Sequence, residues 1–101
     1  MPGTEFQQRV WNALKKIPRG QVTTYQLLAK EVGRPRAARA VGNALNCNPM
    51  APTVPCHRVV RADGSLGGYA SGPKRKHALL TSEGVKIIKN KIALSKYLFR
   101  F

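Results

Sequence analysis

The sequence predicts a mainly α-helical domain with one short β-hairpin, of the winged-helix-like helix-turn-helix kind, and three observations lead there. Apolar residues recur at helical spacing through most of the first 46 positions, in runs opened by capping residues and closed by Pro or Gly. Two of these runs are short and are joined by a tight glycine-containing turn, the outline of a helix-turn-helix. Further on, Asp63-Gly64, a strong tight-turn signal, separates two short stretches that read as hairpin mates. With 101 residues, 43% of them hydrophobic, the chain can bury one core and no more, so a single domain is expected.

Residues 4–17 read as an amphipathic helix: Thr4 can cap it, Glu5 suits the first turn, and Phe6, Val10, Ala13, Leu14 and Ile17 share a face. Pro18 and Gly20 end it. After an extended link at 21–23, Thr23 and Gln26 form a T-x-x-Q capping box for a second helix that carries Tyr25, Leu27, Leu28, Ala29 and Val32 and is closed by Gly33. Pro35 restarts the chain, and 36–46 makes a third helix in which Ala37, Ala38, Ala40, Gly42 and Ala44 leave one face almost bare. This is the candidate reading helix. Residues 47–55 hold three prolines and read as an ordered loop. A strand over 57–61, the turn at Asp63-Gly64 and a mate over 65–69 make the hairpin, and Pro73 opens a last helix through about Glu83, stopped by Gly84. The tail from Val85 to Phe101 mixes Lys with Ile, Leu, Tyr and Phe, so it either packs as an amphipathic segment or stays mobile.

Eighteen Lys and Arg against four Asp and Glu give a formal charge of +14, which calls for a polyanionic partner. The basic residues are spread through a globular pattern and form no isolated basic amphipathic helix, so nucleic acid is favoured over a membrane surface. No apolar run approaches a membrane span or a secretory signal, and an intracellular protein, cytoplasmic or nuclear, is expected. Two cysteines and two distant histidines make a poor disulfide framework and a poor zinc set, leaving at least one cysteine as a candidate working thiol. No metal and no cofactor are expected.

The densest chemistry is Pro55-Cys56-His57-Arg58-Val59-Val60, where an imidazole or cation beside a thiol favours the reactive thiolate. Neighbours in an extended strand point to opposite faces, so a Cys56–His57 contact requires a turn here or a bridging water. The string PCHRVV resembles the active-site motif of the O6-alkylguanine-DNA alkyltransferases, the methylated-DNA–protein-cysteine methyltransferases. Thr24-Tyr25-Gln26-Leu27, residues 35–42 (PRAARAVG), Asn48-Pro49, Gly67-Gly68-Tyr69 and Glu83-Gly84 resemble that family's other landmarks, in the same order and at similar spacing.

The resemblance implies a role for each of these residues. Cys56 would be the nucleophile and final alkyl acceptor, His57 its base through a water, Glu83 the group orienting the imidazole, and Asn48 the brace of the active-site turn. The substrate would be O6-alkylguanine in duplex DNA, with O4-alkylthymine as a further candidate, rotated out of the stack through the minor groove. The bare helix face of Ala38, Ala40 and Gly42 would approach the groove while Arg39 enters the stack. Tyr25 would assist the extrusion, the Cys56 and Val59 carbonyls would accept from the guanine edge, Tyr69 would wall the pocket, and a backbone N–H at Ala70-Ser71 would meet O6. Thr24, Gln26, Arg34 and Arg36 are phosphate-contact candidates. Arg58 either pairs with an acid inside the fold or faces DNA; Cys47 is expected to be a small packing residue and His77 a surface one.

Residues 1–101 are expected to form one monomeric active-site and DNA-binding domain, with its core at about 4–85, a basic tail at 86–101, and no counterpart of the N-terminal domain many family members carry. The acceptor is consumed in the reaction, so Cys56 is expected to act once. Two rivals come from other classes: an alkyltransferase-like protein that holds the lesion without reacting and has tryptophan where this chain has Cys56, and a sequence-reading regulator, which the bare third helix disfavours.

Overall fold

The computed structural model describes residues 4–101. Helix α1 (Glu5–Leu14) starts at a full capping box: the Gln7 amide donates to Thr4 Oγ1 at 3.1 Å and the Thr4 amide to Gln7 Oε1 at 2.9 Å. It ends at Leu14, before Ile17, because the chain tightens into i→i−3 bonds from Lys16 to Ala13 and from Ile17 to Leu14; Ile17 is buried all the same. Strand β1 (Thr23–Thr24) leads directly into α2 (Tyr25–Glu31), and a turn at Gly33 leads to α3 (Ala38–Asn46). The pair α2 and α3 pack on each other and on α1, forming the helix-turn-helix. Val10, Leu14, Leu28, Val41 and Leu45 fill the space between them, and Trp11 Nε1 donates to the Ala44 carbonyl at 2.8 Å, which fixes α1 to α3. Truncating Trp11 to Ala would cost about 3–5 kcal/mol.

After the loop that follows α3, a single 3₁₀ turn (Cys56–Arg58) feeds β2 (Val59–Val60). Strand β2 pairs with β1 in parallel, Thr23 opposite Val59 and Thr24 opposite Val60, so α2 and α3 are the crossover between them. Helix α4 (Pro73–Ser82), strands β3 (Ile87–Ile88) and β4 (Lys91–Ile92) and helix α5 (Leu94–Tyr97) complete the chain. A second core cluster of Val22, Val60, Leu66, Leu80, Val85 and Ile92 sits beneath them.

The mainly helical fold with a small sheet and a helix-turn-helix agrees with the sequence reading, and four local expectations are corrected. Thr24, not Thr23, caps α2, accepting from the Leu27 amide at 3.2 Å; Thr23 is buried in β1, and Gln26 falls one position short of a capping box. Helix α3 begins at Ala38 because 34–37 is spent on a turn closed by the Ala37 amide on the Arg34 carbonyl. The strand expected over 57–61 is a 3₁₀ turn followed by two strand residues that pair with β1; 65–69 is not its mate, although the Asp63-Gly64 turn is present, closed by Arg61 N–H to Ser65 O at 2.9 Å. The hairpin is instead β3–β4, antiparallel, its turn made by Lys89 and Asn90 at positive φ. The tail packs: Val22 N–H donates to Tyr97 O at 2.9 Å and Phe99 N–H to Val22 O at 2.7 Å, placing the last residues beside β1. Among the described residues no helix is long and apolar enough to cross a membrane.

Candidate active site

The loop before Cys56 is braced by Asn48. Its Nδ2 donates to the Val54 carbonyl at 2.7 Å, its Oδ1 accepts from the Met50 amide at 3.0 Å, and the Cys56 amide bonds the same Val54 carbonyl at 2.9 Å. The 3₁₀ turn at Cys56 supplies the bend that an extended chain would lack, and leaves Cys56, 4% exposed, at the floor of a cavity.

Behind Cys56, His57 Nε2 lies 2.9 Å from Glu83 Oε2, the C-cap residue of α4. A carboxylate only accepts, so Nε2 carries the proton and Nδ1 is the basic atom. Nδ1 is buried and makes no hydrogen bond among the described residues. Burial holds the imidazole below its ordinary value of 6.5, against the opposing pull of Glu83, so the ring is neutral and able to take a proton at neutral pH. Glu83 is buried enough to be pushed up, but hydrogen bonds from Arg58 and His57 outweigh this and hold it below the usual carboxylate value. Arg58 clasps it with Nε to Oε1 at 2.9 Å and Nη2 to Oε2 at 2.6 Å, while Nη1 reaches the Ile17 carbonyl at 2.8 Å. Of the two alternatives for Arg58, the internal ion pair is the one formed.

Lys76 is a residue the sequence reading missed. It is 0% exposed, and its Nζ donates to the Val59 carbonyl at 2.7 Å and the Gly68 carbonyl at 3.1 Å, tying β2 to the pocket wall. Burial pushes its pKa down to about 8, with Cys56 among the neighbours favouring the charged form. It lies within the run Lys74-Arg75-Lys76-His77, which reads as a solvated face; its only sequence signal is the i, i+4 spacing to buried Leu80. Val59 itself is fully buried, and Lys76 takes one of its carbonyl's two lone pairs.

The cavity above Cys56 is about 450 Å³ and is lined from one side by Tyr25 and Gln26 of α2 and by Ala38, Arg39, Gly42, Leu45 and Asn46 of α3, and from the other by Arg61, Gly68, Tyr69 and Ala70. Ala40 and Ser71 are exposed outside it, and Thr24 is buried at the α2 cap and borders a different depression. Arg39 and Arg36 are exposed, while the Arg34 guanidinium stacks 5.4 Å over the Phe6 ring. Burial raises the pKa of Tyr25 and of Tyr69, so both hydroxyls stay neutral donors. Gly67, at φ +73°, lets the chain pass against Tyr25, where a Cβ would lie 2.8 Å from the hydroxyl. Cys47 is exposed at the C-cap of α3, where the chain turns away from the core, so its expected packing role is corrected; His77 is exposed.

No acid lines the cavity. Glu5 pairs with Arg9, Glu31 with Lys16 and Glu83 with Arg58, while Asp63 bonds the amide and hydroxyl of Ser65 within its own turn. A buried thiol next in sequence to a neutral base thus opens into a cavity whose only charged lining residues are the cations Arg39 and Arg61.

Residues 5–85 match the protein family described as 6-O-methylguanine DNA methyltransferase, DNA binding domain. The chain belongs to this family. The match contains every residue of the site from Tyr25 to Glu83. A methylated-DNA–protein-cysteine methyltransferase of Methanosarcina acetivorans is 60% identical over 82 residues, 81% of this chain and 53% of that one. The chain spans about half the length of the curated relatives it matches first. Among solved structures, Mycobacterium tuberculosis OGT in complex with DNA superposes with a TM-score of 0.81 at 54% identity, covering 82% of this chain and 51% of that one. Schizosaccharomyces pombe Atl1, in complex with damaged DNA containing O6-carboxymethylguanine, superposes with a TM-score of 0.88 at 33% identity, covering all of both chains. The family's domain thus accounts for the site, and the Atl1 match extends through the β3–β4 hairpin and the tail.

Proposed function

We propose that this protein repairs DNA by moving an alkyl group from O6 of guanine in duplex DNA onto its own Cys56, once per molecule. The observation that carries the reading is the arrangement around the thiol: Cys56 at the floor of an acid-free cavity, with the neutral His57 imidazole behind it oriented by Glu83. In the reaction the thiol proton passes to His57 Nδ1 through a water, the S–C bond forms as the O6–C bond breaks, and the guanine takes up one proton in exchange. The net change is replacement of the thiol hydrogen by the alkyl group. Lys76 holds positive charge beside the nucleophile and fixes the Gly68 wall. Asn48 keeps the Cys56 turn in place.

The target atom is inaccessible in a stacked duplex, so the nucleotide must be extruded. The small residues Ala38 and Gly42 on the cavity face of α3 let that helix lie close against the minor groove, with Arg39 filling the stack and Tyr25 assisting rotation. Tyr69 walls the base, and backbone at Cys56, Val59, Ala70 and Ser71 meets its polar edge. Gln26, exposed in the first turn of α2, takes a phosphate, and Thr24, buried as the cap, holds that turn in place. A genomic substrate places the protein in the cytoplasm, or in the nucleus of a eukaryotic cell.

The full-length likeness to Atl1 favours a second reading, in which the protein grips the lesion without reacting. A thiol rather than an indole at position 56 favours transfer. Incubating the protein with excess duplex carrying O6-methylguanine and counting restored guanines separates the two: transfer predicts one guanine restored per protein molecule and then no more, whereas binding alone predicts none.

A further inference from the structure

Arg61 lies outside every role assigned so far. It follows β2 by one residue and its backbone is held at both ends of the Asp63-Gly64 turn, its N–H on the Ser65 carbonyl and its carbonyl on the Gly64 N–H, each at 2.9 Å. The backbone from which the side chain springs is therefore held in place. The side chain is exposed, and none of the ion pairs among the described residues includes it. The nearby acid, Asp63, is already held by both donors of Ser65. Arg61 borders two cavities, the one above Cys56 and another of about 470 Å³ that is also lined by Ser65, Leu66 and Gly67. Within the first of these the lining is graded by depth: Cys56 is buried, Tyr25 half-buried and Arg61 exposed.

That grading separates the parts of an extruded nucleotide. Its base must go down to the thiol, so its sugar and phosphates stay at the mouth. An unpaired guanidinium carried on a held backbone at that mouth meets phosphate with a bidentate fork. We propose that Arg61 is a positioning residue that takes a phosphate flanking the extruded nucleotide, across the mouth from Tyr25. Its positive charge is also felt by the Tyr25 hydroxyl, which places the two groups near each other. Arg61 and Arg39 then divide the work, one holding the displaced backbone and the other filling the gap left in the stack. The contact reports on the lesion nucleotide alone, unlike the diffuse attraction of the remaining surface cations.

The inference rests on the transfer reading above. Its test pairs Arg61→Met and Arg61→Lys with three methylated duplexes: one natural, and two in which the phosphate on the 5′ or 3′ side of the lesion is a neutral methylphosphonate. For the wild type, one of the two neutral linkages should slow transfer about tenfold, a loss of one charge-assisted contact. Arg61→Met should be slowed by a similar factor on the natural duplex and no further by that linkage, and Arg61→Lys should recover part of the loss. Anisotropy titrations with Cys56→Ala protein should show the salt slope of binding reduced by about one when Arg61→Met is added. Equal linkage penalties in wild type and Arg61→Met, or an unchanged salt slope, would overturn the assignment. Absence of any transfer by the wild type from the natural duplex sinks the transfer reading instead, and the binding slopes still decide Arg61.

Discussion

His57 Nε2 and Glu83 Oε2 stand 2.9 Å apart, and Arg58 closes on the same carboxylate from its other side, so one acid both orients the base and pins the turn that carries the nucleophile. Replacing Glu83 by Gln keeps the shape but removes the charge that Arg58 and His57 share. Transfer should slow by about 10²–10⁴-fold through loss of the imidazole's tautomer and orientation. The partly buried Arg58 is left without its counter-charge, at a cost of about 3 kcal/mol in stability. Single-turnover rates and urea melts on the same variant check both.

The pH dependence follows from His57. Folded, the imidazole protonates below 6.5; unfolded, it takes up its proton near that value, so acidification favours the unfolded chain and stability falls as pH drops below about 6.5. Glu83 acts in the same direction in a lower window: its contribution is full above 4.5 and is lost only as pH falls through its depressed folded value. Between about pH 7.5 and about 5.5 the wild type should therefore lose more thermal stability than His57→Gln. Parallel losses would mean that His57 is free to protonate in the fold.

Lys76 gives a contrast between two truncations. Lys76→Met keeps the buried stem and removes a desolvated ammonium, so stability should change by about 1 kcal/mol or less, while Lys76→Ala leaves a hole and should cost about 2–4 kcal/mol. Both should slow transfer, since each frees the Gly68 wall and removes the charge beside Cys56. If Lys76→Met transfers at the wild-type rate, the ammonium is only structural.

Gly67 should tolerate no side chain. An added Cβ meets the Tyr25 hydroxyl at 2.8 Å, and the residue sits at φ +73°, so Gly67→Ala should cost about 1 kcal/mol or more and displace Tyr25 from the cavity. Transfer from duplex DNA should fall together with the melting temperature, whereas Gly68→Ala, with open space at its Cβ, should leave the melting temperature within a degree or two.

The parts of the fold legible in the sequence were those with a local cause. Thr4 caps α1, Gly33 and Gly84 stop helices at positive φ, and the helical spacing of Val10 and Leu14 or of Leu28 and Val32 marks the first core. What escaped depends on distant partners. Thr23 and Val59 pair across 36 positions in a strand too short to show alternation, so β2 was read with the wrong mate. The tail hairpin turns on Lys89-Asn90, which carries no glycine signal, and it is held by Gly64, whose carbonyl accepts from the Ile92 amide, while Val22 from the other end of the chain holds the residues beyond it at Tyr97 and Phe99. In the site, Cys56, His57 and Glu83 were legible through motif resemblance; Lys76 was not, because a cation in a cationic run gives no hint that its end is satisfied by two carbonyls. Arg61 gave no hint either, because its place at the cavity mouth is set by the turn that its backbone closes and by the distant residues across the cavity.

The most direct test of the account is where the alkyl group ends up. After incubation with duplex carrying one O6-methylguanine, intact mass and peptide mapping should show a single methyl group per protein, confined to the peptide containing Cys56, with exposed Cys47 unmodified and Cys56→Ala inert but still bound to the DNA. Protein recovered unmethylated while the lesion persists, or a methyl group on Cys47, would contradict it.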